Sequence, residues 1–227
     1  GRLLADLRAR RLAGVIWTTF PGEAIVEGPL VRSGLVPSVA IMEITRPHLH
    51  SVAIDSHAFM ERAIDHLVAQ GRRRIALLSV PGHSNDHFRE CIHARGLESR
   101  PYWLQVLPPQ WGASARNLVH LLFSLDPGQR PDALIIADDN LVEEATAGLI
   151  AAGVAVPRDL TVVAHCNYPW PTPSAVPTHL LGYDARVMLE RCLELLASGP
   201  AGATPRPPIP IAPVFDHERT SDPQRQP

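Results

Sequence analysis

Short apolar runs alternate with amphipathic stretches along almost the whole chain, and this rhythm constrains the fold more than any other feature. An apolar run bounded by Gly, Pro or polar residues reads as a buried strand, and alternation of such strands with helices builds a mostly parallel sheet. The pattern predicts strands at 14–17, 36–41, 51–54, 74–79, 103–107, 133–136 and 160–164. Helices are expected at 1–11, 56–70, 87–97, 114–125, 141–152 and 184–197. In the second of these, Phe59, Ala63 and Leu67 recur at helical spacing and Gly71 supplies the stop. In the last, Leu189, Leu193 and Leu196 share one side. Residues 165–177 read as a Pro-rich loop. The Pro-dense tail after Gly199 reads as extended edge segments that fray at Ser221–Pro227.

A length of 227 residues suits one large α/β domain or two small lobes. No apolar run approaches the roughly 18–20 residues of a membrane span, and the N-terminus lacks a signal-peptide pattern. All 21 basic residues are arginine, which excludes P-loop, Schiff-base and kinase lysine chemistry. The net charge of −2 argues against broad nucleic-acid binding by these residues themselves. Cys91, Cys166 and Cys192 form no CxxC and are odd in number, so three reduced thiols in a cytoplasmic protein are expected.

Catalytic signatures are missing: there is no GxSxG, GxGxxG or HExxH, and no nucleophile–base pair at a recognisable spacing. No enzyme activity and no cofactor are therefore expected. His48 with His50, and His83 with His87, have spacings a metal could use, but no further ligand sits at a telling distance. They read as solvent-exposed histidines, and no metal is expected. Asp138 and Asp139 close the strand 133–136, at the carboxyl edge where α/β sheets place ligands. A carboxylate there can accept two hydroxyl hydrogen bonds, as polyol recognition requires. The competing reading makes Asp139 a helix cap, with Asp138 left facing the cleft. Arg89 is placed like a cleft-facing guanidinium, or else is merely exposed on its helix. Trp111 suits stacking on a ring or sugar face, or anchoring in the core.

Three stretches together resemble one family. Asp65-His66-Leu67-Val68-Ala69-Gln70-Gly71-Arg72-Arg73-Arg74-Ile75-Ala76-Leu77-Leu78 resembles the HLxxxGHRRIAxI segment of LacI/GalR-type transcriptional regulators. Pro131-Asp132-Ala133-Leu134-Ile135-Ile136-Ala137-Asp138-Asp139 resembles their PDAxFxxND, and Ala152-Gly153-Val154-Ala155-Val156-Pro157-Arg158-Asp159-Leu160-Thr161-Val162-Val163 their xGxxVPxDxSVVGFDD. Order and separation also match. The resemblance implies a periplasmic-binding-protein-like type I α/β fold: two parallel-sheet lobes joined by crossover strands, with a small molecule between them. The first lobe would run over 1–72, completed by 179–199, and the second over 73–178, completed by 200–227. The chain opens at what looks like the second helix of the first lobe, so that lobe is expected to be incomplete, without the preceding strands, hinge and helix-turn-helix.

What the resemblance implies is the ligand-sensing and dimerising core of a cytoplasmic regulator. It would work as a homodimer, with operator DNA bound through a helix-turn-helix absent from this chain and no role for a membrane. Its effector-binding residues would be Arg89, Asp138, Trp111, Cys166, Asn167 and His57. Cys166 stands where the pattern has a sugar-gripping aspartate, and a neutral thiol cannot hold a polyol in the same way. The resemblance implies a sugar-like or small anionic metabolite as effector; the thiol argues against an ordinary hexose and leaves a less polar effector, an anionic one held by Arg89, or a site that has lost its ligand. The alternative is a solute-binding protein of a sugar transport system with the same fold.

Overall fold

The computed structural model describes residues 2–9, 11–82, 85–199 and 206–219. The chain divides into two compact units, Gly1–Asp55 with Asp184–Ala212, and Ser56–Tyr183 with Pro213–Pro227, so it passes between them three times. The expected fraying at 221–227 lies outside the described residues, as does His83.

The first unit comprises α1 (Arg2–Arg8), β1 (Val15–Trp17), α2 (Glu23–Val26), α3 (Pro29–Arg32), β2 (Ser38–Ile41) and β3 (His50–Ile54). Its four-stranded sheet has the order β1-β2-β3-β9, all parallel, where β9 (Ile209–Ile211) returns from the tail. Pro210 is tolerated in β9 because that strand lies at the sheet edge, where one side makes no ladder. Val26, Val31, Ala40, Met42 and Leu49 form the core, with Trp17, Phe20 and Ile25 against it. The numbers α4–α7, β4–β8 and β10 belong to the second unit, and α8 (Ala185–Ala197) returns to pack on β2 and β3.

In α8, Leu189 and Leu193 lie together on the exposed side, and Met188 and Cys192 carry the buried one. One expectation is corrected in this unit. His50 is buried, not exposed, because it is the first residue of a strand flanked by β2 and β9. Burial, reinforced by Arg206, holds its pKa below the ordinary histidine value.

The second unit contains α4 (Ser56–Ala69), β4 (Ile75–Ser79), α5 (Asn85–Ala94), β5 (Leu104–Val106), α6 (Gly112–Phe123), β6 (Ala133–Ile136), α7 (Val142–Ala151), β7 (Thr161–Tyr168), β8 (His179–Asp184) and β10 (Val214–Phe215). Its sheet order is β10-β8-β7-β6-β4-β5. The run from β5 to β7 is parallel, and β10 pairs antiparallel with β8. Strands β4 and β6 are buried throughout, which explains their unbroken apolar sequences. One large core joins Ala76, Leu78, Trp103, Val119, Leu134 and Val162 with the inner faces of α6 and α7. These two helices pack closely because position 148 is glycine: a Cβ there would stand 2.5 Å from the Arg116 carbonyl oxygen. Asp132 pins the start of β6 to β4, accepting the backbone N–H groups of Arg73 (3.1 Å) and Arg74 (2.9 Å).

Here the boundaries also differ from those read in the sequence. β7 continues four residues past 164, into the segment expected to be loop, because His165, Cys166 and Tyr168 are buried between neighbouring strands. α4 and β8 group with this unit, whereas the boundaries at 72 and 179 put them with the first. The apolar face of α4 (Phe59, Met60, Ala63, Ile64, Leu67) is buried, and the helix packs on α5 and β7; β8 lies between β7 and β10. Among the described residues no helix is long and apolar enough to cross a membrane.

Candidate functional site

All six residues singled out in the sequence lie in the second unit. Strand β6 ends at Ile136, and a single helical turn at Asp139–Leu141 leads into α7. Asp138 caps that turn: its Oδ1 accepts the backbone N–H of Asn140 at 3.0 Å and the Asn140 side-chain amide at 2.9 Å. Asp139 instead reaches the end of β7, where its Oδ2 accepts the Asn167 Nδ2 at 2.7 Å. The Asn140 amide also approaches Asp139 Oδ1, at 3.4 Å. The roles expected for the two aspartates are therefore exchanged. The aspartate nearer the strand has the extended backbone that a cap needs, and its neighbour is carried round the turn toward β7.

Asn167 is the one exposed residue of β7, placed there by strand alternation between buried Cys166 and Tyr168. Trp111 arrives from another direction. The short turn Pro109–Trp111 contacts Asp139–Leu141, and the following Gly112 is so close to Asn140 that a Cβ would stand 3.0 Å from its carbonyl oxygen. The indole itself is 58% exposed, which rules out the core-anchoring reading. Asp138, Asp139, Asn140 and Asn167 thus form one hydrogen-bonded group at the carboxyl ends of β6 and β7, beside an exposed aromatic face. Carboxylate and amide oxygens accept hydroxyl hydrogens, and an indole face accepts the C–H surface of a ring.

The other three residues are placed elsewhere in the unit. Arg89 pairs with Asp86 at 2.7 Å, one turn back on α5, with both side chains mostly exposed. His57, on α4, stacks its ring on His87 of α5, with centroids 4.1 Å apart and planes 12° from parallel. Cys166 is fully buried. Burial pushes its thiol pKa up to about 11, against a smaller downward pull from its hydrogen bond with Tyr168. Tyr168 is raised in turn, chiefly by burial; its hydroxyl donates to the Leu180 carbonyl at 3.1 Å and the Arg219 guanidinium lies 4.1 Å from its ring. Cys166 is therefore a packing residue, and a ligand reaching β7 from solvent meets Asn167.

Asp139 and Asn140 are the members of the group that sequence reasoning missed as a hydrogen-bonding set. The signal was the run Asp138-Asp139-Asn140, in which only the turn geometry decides which carboxylate caps. Two cavities lie away from this group. One, of about 280 Å³, is an apolar groove in the first unit lined by Leu3, Leu4, Ala24, Ile25 and Leu30. The other, of about 370 Å³, lies near Arg74, Phe123 and Arg130, at the amino ends of β4 and β6.

Over residues 64–214 the sequence matches the family described as periplasmic binding protein-like domain. The chain belongs to the periplasmic binding protein-like domain family. The match begins within α4 and ends at β10, so it takes in β4–β8 and the whole hydrogen-bonded group. No curated protein matches the sequence. Among solved structures, a regulatory protein of the LacI family from Chloroflexus aggregans superposes with a TM-score of 0.75 at 21% identity, over 93% of this chain and 78% of its own. A LacI family transcriptional regulator from Lactobacillus casei with bound sucrose gives 0.68 at 23% identity, over 94% and 81%. A putative ribose operon repressor from Burkholderia thailandensis gives 0.68 at 20% identity, over 94% and 80%. The periplasmic binding protein-like fold of this chain is thus the fold of LacI-family effector domains.

Proposed function

We propose that this chain is the effector-sensing and dimerising core of a LacI/GalR-like transcriptional regulator, and that its effector is a small sugar-like polyol. The observation that carries this reading is the Asp138–Asn140–Asp139–Asn167 group at the carboxyl ends of β6 and β7, beside the exposed Trp111. Carboxyl ends of parallel strands are where α/β sheets take ligands. Two carboxylates and two amides offer convergent acceptors and donors, and the indole offers a stacking face. Pairing of Arg89 with Asp86 favours the polyol over the anionic alternative, since an anion would first have to displace the carboxylate. The relative from Lactobacillus casei, described with bound sucrose, supports the same class.

In this reading the effector binds one state of a cytoplasmic homodimer more tightly than another, and so shifts the population that engages operator DNA through a helix-turn-helix outside these residues. The test is a thermal-shift panel of mono- and disaccharides, polyols and small carboxylic acids. A ligand that binds only the folded state raises the midpoint by mass action, about 2.7 kcal/mol at a hundred times its dissociation constant. A polyol hit lost in Asp139→Ala and in Asn167→Ala is expected. A hit confined to anions, or unaffected by both substitutions, overturns the reading. Sedimentation of the chain with and without the hit tests dimerisation.

A further inference from the structure

A second cluster of chemistry-bearing side chains lies between α4 and α5. His87 Nε2 is 3.3 Å from Glu61 Oε1 and 3.5 Å from Cys91 Sγ, and the three ligand atoms all lie within 4.8 Å of one another. His87 and Cys91 are one helical turn apart on α5, so they present the same face, while Glu61 comes from α4.

The two separations from His87 match edges of a tetrahedral metal site. With bonds of about 2.0–2.1 Å to nitrogen and oxygen and about 2.3 Å to sulfur, the edges of a tetrahedron are roughly 3.4 Å for N···O and roughly 3.6 Å for N···S. Surrounding groups supply the outer shell that such sites use. His87 Nδ1 faces Glu90 Oε2 at 3.6 Å, the carboxylate–histidine arrangement that orients an imidazole ligand. The stacked His57 ring holds the imidazole plane. Arg95 pairs with Asp65 at 2.7 Å, donates to the Cys91 carbonyl at 3.3 Å and also lies beside the Cys91 thiol, where its positive charge favours the thiolate.

We propose that Glu61, His87 and Cys91 bind a single borderline-soft divalent transition-metal ion such as Zn²⁺, through carboxylate oxygen, imidazole nitrogen and thiolate sulfur. A fourth position is left to water or another small ligand. Cys91 is almost fully buried and Glu61 mostly exposed, so the ion enters from the carboxylate side and the thiolate closes the inner face. On binding, the thiol proton leaves to solvent and the sulfur lone pair forms the bond to the metal, so no oxidant or reductant is involved. The bound ion ties α4 to α5, the helix that carries Arg89.

The test is titration of the whole chain with Co²⁺ under reducing conditions, followed by absorption spectroscopy. One equivalent is expected to produce a thiolate-to-cobalt charge-transfer band with intense tetrahedral d–d bands, and Zn²⁺ is expected to displace both. Cys91→Ser should abolish the charge-transfer band, and His87→Gln and Glu61→Gln should each weaken binding at least tenfold. Cys166→Ser with Cys192→Ser should leave the spectrum unchanged. Circular dichroism checks that each variant is folded, and Glu61→Gln, at the exposed rim, tests the site without touching the core. Absence of the charge-transfer band, its persistence in Cys91→Ser, or its loss in the Cys166/Cys192 variant overturns the proposal.

Discussion

Asn167 on β7 donates its side-chain amide to Asp139 at 2.7 Å, joining the carboxyl ends of two neighbouring strands. Asn167 is exposed and Asp139 partly so at the carboxyl ends of these interior strands, so the bond adds little to stability and its consequence is positional. It holds an acceptor and a donor in fixed directions beside Asp138 and Trp111. Asn167→Ala is expected to cost no more than about 1 kcal/mol of unfolding free energy. The same change should weaken polyol binding at least tenfold, about 1.4 kcal/mol. Urea unfolding and calorimetric titration of one variant check both figures.

Gly182 on β8 lies directly against the Cys166 backbone on β7, where an added Cβ would fall on the Cys166 carbonyl. Neither strand can retreat, because β7 is held by β6 and β8 by β10. Gly182→Ala is expected to lose more than about 3 kcal/mol, at the high end of overpacking costs. Gly128→Ala, with nothing within 4 Å of the new methyl, is expected to be near neutral. Urea midpoints of the two variants measure the contrast.

His66 and His179 form a partly buried pair with ring centroids 4.5 Å apart, near Phe215, His217, Glu218 and Arg62. Burial, and secondarily the histidines' mutual repulsion, holds the pKa of His66 below the ordinary value; burial and the charge of His217 do the same for His179. As pH falls through about 6.5, the unfolded chain takes up these protons first, so unfolding becomes easier. Their contribution is complete above about pH 6.5 and is lost as pH drops toward the lowered folded values. Urea midpoints should fall between about pH 7.5 and about pH 5.5, and the fall should shrink in His66→Gln with His179→Gln. A residual slope is expected from His50 in the first unit.

All three cysteines are free and buried, and burial raises the pKa of each. Thiolate, not thiol, attacks disulfide reagents, so the native chain should react slowly at about pH 8 and release all three equivalents on unfolding. Timed reaction with a chromogenic disulfide, with and without denaturant, reads the difference.

The strands of the second unit were the most legible part of the sequence, because β4 and β6 are buried on both faces and so are continuously apolar. Asp132, within the family-like stretch Pro131–Asp139, is a backbone pin whose two N–H partners precede β4. What stayed hidden depended on partners distant in sequence. The strand character of His165–Tyr168 comes from β8, and β8 itself contains a glycine and a histidine that weaken its pattern. Its place in the motif makes Cys166 a ligand contact, yet strand alternation turns it inward and puts Asn167 outside. The two aspartates could be located from sequence but not told apart, since exchanging their roles takes only one helical turn. The Glu61–His87–Cys91 cluster was invisible because its members come from two helices separated by a strand.

Calorimetric titration of the best sugar hit into the unaltered chain and into Asp139→Ala tests the central claim most directly. The account predicts saturable one-to-one binding to the unaltered chain and at least a tenfold loss in the variant, with its unfolding midpoint nearly unchanged. Equal affinity in both proteins, or no binding of any sugar or polyol to the unaltered chain, would contradict it.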